Sequence, residues 1–181
     1  MRLAQSVTAR NVLGFGPDGS REIATMVYGE ARPNGLFRFV NFGHLPPLVF
    51  SVEYGRFVEI GKANMVHFPS LGLEVPEDHP DRSRYVSIIL RRSHMTSIDL
   101  DEITLMNRGD ILFLYTDGVY DGDDDVQKQE IETIIRNCKE RPVKEICDAI
   151  LDFALARDEH LKRIGESDRI DDKTVFLIRK G

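Results

Sequence analysis

The feature that most constrains this fold is an apolar run that stops abruptly in a cluster of aspartates. Residues 110–116 (DILFLYT) have the composition of a buried strand, and five aspartates fall within the next nine residues, 117–125. A strand that ends in carboxylates places hard oxygen ligands at a sheet edge, where a protein can hold Mg²⁺ or Mn²⁺. A second acidic pair, Asp171 and Asp172, precedes another strand-like run. Two strands with acidic ends, distant in the chain, predict one shared metal site.

The hydrophobic period changes from that of strands to that of helices at the aspartate cluster. Before it, turn signals at Asn34-Gly35 and Tyr54-Gly55 separate short runs and indicate an antiparallel meander. The predicted strands there are 22–29, 36–42, 48–52, 56–60 and 85–90, with a long loop over 61–84. After the cluster, helical spacing covers 126–138, a second helix starts at Pro142, and a strand returns at 174–178. This order predicts one α+β domain over residues 1–181.

Composition excludes several classes of function. The chain has 181 residues and a net charge of −6, which disfavours nucleic acid as the main partner because phosphate binding needs a basic face. No apolar run approaches the roughly 20 residues that cross a bilayer, and residues 1–6 carry no apolar signal core. We therefore expect a cytoplasmic protein without a membrane partner. Cys138 and Cys147 then predict buried, reduced thiols rather than a disulfide or a zinc site.

Two motifs with other known chemistry are weak. Residues 14–19 (GFGPDG) have the GxGxxG spacing of dinucleotide-binding loops, but the turn residues within them predict no helix there. Asp121, Asp123, Asp125 and Glu132 match acidic positions of a calcium-binding helix-loop-helix, yet Val126 stands where a glycine is needed for the sharp turn. We expect residues 123–125 to face solvent, as acidic loops usually do.

Three motifs, in the correct order, resemble those of one bacterial phosphatase family. Residues 41–47 (NFGHLPP) resemble the "NAGHPP" turn of the stage II sporulation protein E type phosphatases, and residues 109–119 (GDILFLYTDGV) resemble their "GD-LLLYTDG" motif. Residues 171–174 (DDKT) resemble their terminal "DD-T" motif. Phe42 and an extra Leu45 are small departures from the family pattern. The resemblance runs from about Ile23 to Arg179.

The resemblance implies a fold, a reaction and a metal site. Members of this PPM-type (protein phosphatase type 2C) superfamily have an antiparallel β-sandwich flanked by helices. They are metal-dependent serine/threonine phosphatases, and many act on anti-sigma-factor antagonists, so a phosphoprotein is the expected partner. By the resemblance, Asp117 and Asp171 are metal ligands, Gly118 offers its backbone, and Asp172 is the less favoured ligand. His44 would lie in a structural turn.

The implied chemistry is hydrolysis by a water that binuclear Mn²⁺ or Mg²⁺ activates, so no protein nucleophile is expected. The family has two earlier acidic motifs, which this sequence lacks. We therefore expect an N-terminally incomplete domain, the C-terminal portion of the family's, in which Asp117 and Asp171 hold at most one ion weakly. Two functions stay open: a hydrolase that is inactive or weakly active by itself, and a non-catalytic module that binds a phosphoprotein. A homodimer would cover an exposed sheet edge.

Overall fold

The computed structural model describes residues 24–58, 60, 67–68, 70, 101–105 and 107–181. In chain order its strands are β1 (Met26–Ala31), β2 (Leu36–Phe42), β3 (Leu48–Ser51), β4 (Arg56–Val58), β5 (His67–Phe68), β6 (Asp101–Thr104), β7 (Ile111–Tyr115) and β8 (Val175–Arg179). The helices are α1 (Asp125–Cys138) and α2 (Val143–Ile164), followed by a short 3-10 helix, Ser167–Arg169. No helix in these ranges combines the length and apolarity needed to cross a bilayer.

The chain divides into two compact units. The first comprises Met1–Glu30, Phe37–His44 and Ala63–Glu102, and the second Ala31–Leu36, Leu45–Lys62 and Ile103–Gly181. The first sheet has the order β1-β2-β5, with β6 also paired to β2. In β2, Phe37 and Phe39 are buried while Arg38 between them is only partly buried, the alternation that a half-buried strand requires.

The second sheet, which carries the candidate site, is antiparallel with the order β4-β3-β7-β8. Its central strand β7 places Phe113 opposite Leu48 on one side and Leu177 on the other. Ile111 and Phe113 are fully buried and Leu112 almost so, which explains the continuous apolar run in the sequence. Before this strand, the buried Asp110 carboxylate accepts hydrogen bonds from the amides of Val52 and Asn107.

The two helices pack on the second sheet through their apolar stripes. Asp124 caps α1, because its Oδ1 accepts the amides of Val126 and Gln127 at 2.9 and 3.0 Å. Helix α2 follows Pro142 and ends at Gly165, whose φ of 82° is the left-handed C-cap conformation. The core they complete contains Phe50, Phe57, Ile111, Phe113, Tyr115, Val119, Tyr120, Ile131, Ile135, Ile146, Ile150 and Leu177. This core contains both ends of β7 and Leu177 of β8, with Val175 packed against it, so it holds the segments beside them.

The predicted α+β class is confirmed, but the predicted meander is wrong in one connection. Strand β3 pairs with β7 rather than continuing from β2 in the same sheet. Between β2 and β3 lie Gly43, with a φ of 65°, and two prolines that cannot donate to a ladder, so the chain leaves the first sheet there. The short β5 lies within the predicted long loop, and β6 was not predicted. The predicted strand 85–90 and residues 14–19 lie outside the described residues, and a single domain over 1–181 stays a prediction.

Candidate metal centre

The first acidic turn, residues 116–120, begins where β7 ends. The Val119 amide donates to the Thr116 carbonyl at 2.9 Å, which closes a β-turn. Within it, the Gly118 amide donates to Oδ1 of Asp117 at 3.0 Å. Gly118 and Val119 are buried while Asp117 is exposed. The backbone of the turn is therefore packed into the protein and its carboxylate lies on the outside.

The second acidic turn, residues 171–174, leads into β8 and has a similar local arrangement. The Asp172 amide donates to Oδ1 of Asp171 at 2.7 Å. Both aspartates are exposed, while Lys173 is partly buried and its Nζ donates to the Asp171 carbonyl at 2.7 Å. Each turn thus presents carboxylate to solvent from a hydrogen-bonded backbone.

The two turns adjoin because β7 and β8 are antiparallel neighbours, with Tyr115 opposite Val175. The Thr116 amide donates to the Thr174 carbonyl at 3.2 Å. The Thr116 hydroxyl accepts the Thr174 amide at 2.9 Å and donates to the Asp172 carbonyl at 2.9 Å. One threonine side chain therefore joins the first turn to two positions of the second.

Gly118 is where the turns approach most closely. A Cβ built on it would lie 2.7 Å from the Asp171 carbonyl oxygen and closer still to that of Asp172. Its φ is not positive, so the close approach, rather than an unusual conformation, requires glycine here. The structure thus brings together all four residues predicted for the site, Asp117, Gly118, Asp171 and Asp172. Their role as metal ligands stays a prediction.

The donor set fits one hard divalent cation better than two. A carboxylate has two oxygens, so Asp117 and Asp171 can each accept a local amide and still offer an oxygen to Mg²⁺ or Mn²⁺. Across the described ranges, however, no group of three or more His, Cys, Asp or Glu side chains is arranged to hold a metal. Among the described residues, only the two predicted ligands Asp117 and Asp171 are therefore available at this position, and their binding of a cation stays a prediction.

The acidic loop, residues 121–125, serves mainly to start α1. Oδ1 of Asp121 accepts the amides of Asp123 and Asp124 at 3.1 Å each, and Asp124 caps the helix. Glu132, the fourth position of the calcium hypothesis, instead accepts the Phe57 amide at 2.8 Å. That carboxylate fixes β4 against α1, so the calcium interpretation has no support.

Two tyrosine hydroxyls lie beside this loop and stay protonated. Burial raises the pKa of Tyr115, and the neighbouring Tyr120 and the carboxylates of Asp121 and Asp123 raise it further. Burial and the nearby aspartates, Asp125 first among them, also raise the pKa of Tyr120. The Tyr120 hydroxyl donates to the Gly122 carbonyl at 2.8 Å. The raised pKa values argue against a role as bases for either hydroxyl, and that of Tyr120 is a structural donor.

The His44 motif forms a hydrogen-bonded turn in the first unit. The buried Asn41 side chain donates to the His44 carbonyl and accepts the His44 amide, both at 2.8 Å. Nδ1 of His44 lies 3.3 Å from the hydroxyl oxygen of Thr25. The left-handed Gly43 packs directly on Ser70. These contacts agree with the structural role expected for this motif.

Sequence reasoning missed three charged residues behind the two turns. Arg157 of α2 donates to the carbonyls of Gly118 at 2.5 Å and Val119 at 3.2 Å. The next residue, Asp158, forms an ion pair with Lys173 at 2.5 Å, in which both side chains are only 7% exposed. In the sequence Arg157 and Asp158 look like the ordinary solvated charges of a helix end, and Lys173 is one residue of the 171–174 motif. The only signal for the two helix residues was their position about one turn beyond Ala154.

Comparison with known proteins gives a consistent result. The sequence profile described as stage II sporulation protein E (SpoIIE) matches residues 92–181. The comparison with curated proteins gave no match. Among solved structures, the phosphatase domain of the cell fate determinant SpoIIE from Bacillus subtilis, presoaked with manganese, is 14% identical. That match covers 98% of this chain and 65% of the other, with a TM-score of 0.50.

Two further structures are similar. A second structure of the B. subtilis domain is 15% identical over 99% of this chain and 66% of the other, with a TM-score of 0.50. The RsbU and RsbW domains of a Mycobacterium tuberculosis protein are 21% identical over 84% and 34% of the two chains, with a TM-score of 0.49. The chain thus spans just under two thirds of the B. subtilis domain, and that likeness shows the fold.

Proposed function

We propose that this chain, whose residues 92–181 match the stage II sporulation protein E profile, belongs to that family of PPM-type phosphatases and is part of a metal-dependent hydrolase. The bond cleaved is the phosphoester of phosphoserine or phosphothreonine on a regulatory protein in bacterial signalling. An anti-sigma-factor antagonist is the substrate class that the family resemblance implies. The protein acts in the cytoplasm, where such substrates occur.

One observation supports this proposal above the others. The Asp117-Gly118 turn and the Asp171-Asp172 turn lie with their backbones in contact, although 54 residues separate Asp117 from Asp171 in the numbering (171 minus 117). Two exposed carboxylates are thereby held at one end of an antiparallel strand pair. A hard divalent cation is the ligand that such oxygen donors favour.

The residues of the chain have separate tasks in this mechanism. Asp117 and Asp171 would hold the cation, with Asp172 as the alternative donor on the second turn. A bound divalent cation supplies Lewis-acid polarisation of a phosphoryl oxygen and lowers the pKa of a water. Gly118 lets the two turns approach, and the Thr116 hydroxyl holds their backbones together. Because two carboxylates hold one ion at most, we expect weak turnover or none from this chain by itself.

A second candidate, a non-catalytic module that binds a phosphoprotein, is favoured by one observation. Along the described stretches of chain, no three metal-type side chains converge on a common point. A fold of this family that has lost its binuclear centre would keep the surface that recognises the partner. Such a module would bind the phosphorylated protein without releasing phosphate.

The test measures turnover of p-nitrophenyl phosphate and Mn²⁺ binding by the purified chain. We expect slow, Mn²⁺-dependent turnover at most, and calorimetric binding of one ion. Asp117→Asn should reduce both to background, because it removes the charge of a ligand while keeping its shape. The matched control is Asp123→Asn, which removes one charge from the exposed acidic loop and should leave both unchanged.

Three outcomes separate the candidates. Turnover or binding that Asp117→Asn abolishes and Asp123→Asn preserves supports the hydrolase. Binding of a phosphoprotein with neither turnover nor Mn²⁺ binding supports the binding module. Turnover that Asp117→Asn leaves intact contradicts the proposed metal site, since the activity would then arise elsewhere.

A further inference from the structure

We propose that two consecutive residues of α2, Arg157 and Asp158, are positioning residues that fix the two acidic turns for cation binding. Arg157 holds the first turn directly, and Asp158 holds the second turn through Lys173. The inference rests on the function proposed above, because it concerns how the same site is kept in shape. Its structural half, the bracing of the turns by one helix, is measurable without any metal.

Arg157 braces the first acidic turn through its backbone. Nη2 donates to the Gly118 carbonyl at 2.5 Å, and Nη1 donates to the Val119 carbonyl at 3.2 Å. Nη1 also donates to Oε1 of Gln127 in α1 at 3.0 Å, which gives the guanidinium a contact with the other helix as well. Two successive carbonyls bound by one rigid, planar cation cannot rotate independently. The direction of the Asp117-Gly118 segment is thus set by α2.

Asp158 braces the second acidic turn through an intermediate lysine. Its Oδ2 lies 2.5 Å from Nζ of Lys173, and this Nζ also donates to the Asp171 carbonyl at 2.7 Å. Lys173 therefore spans the gap between the helix and the backbone of a proposed ligand. The contact reaches the peptide carbonyl and leaves the Asp171 carboxylate exposed.

The buried ion pair between Asp158 and Lys173 contributes little net stability for the desolvation that it requires. Both side chains are 7% exposed, and Oδ1 of Asp158 is buried with no hydrogen-bond partner among the residues that the structure describes. Desolvation offsets most of the Coulomb attraction in such a pair, so apolar residues of similar size are often equally stable. An ion pair constrains the direction of its two side chains more than an apolar pair does. A positioning role needs that constraint.

One helix can serve both turns because consecutive helical side chains diverge. Adjacent residues differ by about 100° around the axis and about 1.5 Å along it. Arg157 and Asp158 therefore reach in different directions from the same rigid body. The preceding part of α2 is anchored by the fully buried Ile146, Ile150 and Ala154. Helix α2, which is itself fixed in the core, therefore sets the relative position of the two turns.

The experiment compares two variants of the full chain with two controls on the same helix. Arg157→Lys keeps the positive charge but loses the planar guanidinium that binds two carbonyls at once. Lys173→Met keeps an unbranched side chain of similar length but loses the charge. The controls are Arg163→Lys, at an exposed arginine whose Nε donates to the Glu159 carbonyl, and Lys144→Met. Lys144 pairs with Asp148 at 2.6 Å, with side chains 83% and 52% exposed. The readouts are amide hydrogen exchange in both turns and Mn²⁺ affinity by calorimetry.

We expect each variant to loosen its own turn. Arg157→Lys should speed exchange of the Val119 amide, and Lys173→Met that of the Thr174 amide, each by about tenfold or more. Mn²⁺ affinity should fall by about 10- to 100-fold in both, the usual effect of removing a group that orients a ligand. Both controls should change exchange and affinity by less than twofold.

A double variant separates positioning from mere stabilisation. Asp158→Leu combined with Lys173→Met replaces the ion pair by an apolar pair, and it should restore the unfolding midpoint that Lys173→Met lowers. Fast exchange in the second turn and weak Mn²⁺ binding should persist. Recovery of affinity together with stability would overturn the inference, as would unchanged exchange in both single variants.

Failure of the proposed function has a different signature. If the wild-type chain binds no Mn²⁺, the metal site is wrong. Exchange that still depends on Arg157 and Lys173 would then show that α2 braces the turns regardless. If the wild type binds Mn²⁺ but the variants change neither Mn²⁺ affinity nor amide exchange, the metal site is supported and the positioning role is contradicted.

Discussion

Two segments that contain aspartate follow one another directly in this chain, yet different contacts hold them. Besides its local hydrogen bonds, the first acidic turn, residues 116–120, has hydrogen bonds that span 38, 39, 56 and 58 residues of sequence. The side-chain hydrogen bonds of the acidic loop, residues 121–125, span two or three. The turn is thus also held by α2 and by the second acidic turn, whereas in the loop the aspartate side chains accept amides of their near neighbours.

This difference shows why the density of carboxylates does not identify a site. In the acidic loop, Asp121 and Asp124 accept amides of the next few residues, so their charge organises the start of α1. In the two turns, long-range contacts hold the backbones that carry Asp117 and Asp171 against each other. A cation needs ligands whose separation is fixed by the fold. The sparser segment is therefore the better candidate.

The largest predicted effect comes from breaking the ion pair behind the second acidic turn. Asp158→Ala should destabilise the protein by about 3–5 kcal/mol, because it leaves the charge of Lys173 buried without its partner. Denaturant unfolding measures the loss of free energy. The control, Asp148→Ala, removes the acid of an exposed pair on the same helix and should leave the midpoint nearly unchanged. Equal effects of the two substitutions would mean that burial does not distinguish the pairs.

A smaller effect is predicted where the two turns touch. Gly118→Ala should cost about 1–3 kcal/mol, because the new Cβ would be forced against the carbonyls of residues 171 and 172. It should also weaken Mn²⁺ binding by separating the turns. Gly122→Ala, in the acidic loop, should cost about 1–2 kcal/mol for a different reason, its φ of 93°. That control should leave Mn²⁺ affinity unchanged, so the pair separates loss of stability from loss of the site.

Much of this arrangement could be predicted from the sequence because it follows from strand order. The apolar run 111–115 indicated a buried strand, and the final run indicated another strand. Acidic residues after the first and before the second adjoin once the two strands pair antiparallel, which the structure shows. Two local connections could also be anticipated from their turn glycines: Gly35 lies between β1 and β2 of the first sheet, and Gly55 lies between β3 and β4 of the second.

The rest could not be predicted, because it depends on three-dimensional contacts that leave no local pattern. Arg157 and Asp158 lie in a charged stretch near the end of α2, where solvated side chains are the normal expectation. The side chain of Lys173 is buried because it pairs with Asp158 of α2, a contact that only the fold shows. Likewise the two-residue strand β5 is too short to show a period, so its parallel pairing with β2 is visible only in the structure.

The smallest predicted effect tests the acidic loop itself. Asp124→Ala should destabilise the protein by about 1 kcal/mol, because it removes the acceptor for the first amides of α1. Asp124→Ser, which keeps a capping oxygen, should recover most of that loss. Mn²⁺ affinity should be the same in both variants and the wild type, since the cap stabilises the helix and not the turns. If Asp124→Ala instead weakened Mn²⁺ binding as strongly as Asp117→Asn, a ligand would lie in the acidic loop. The first acidic turn and the acidic loop would then belong to a single, larger site.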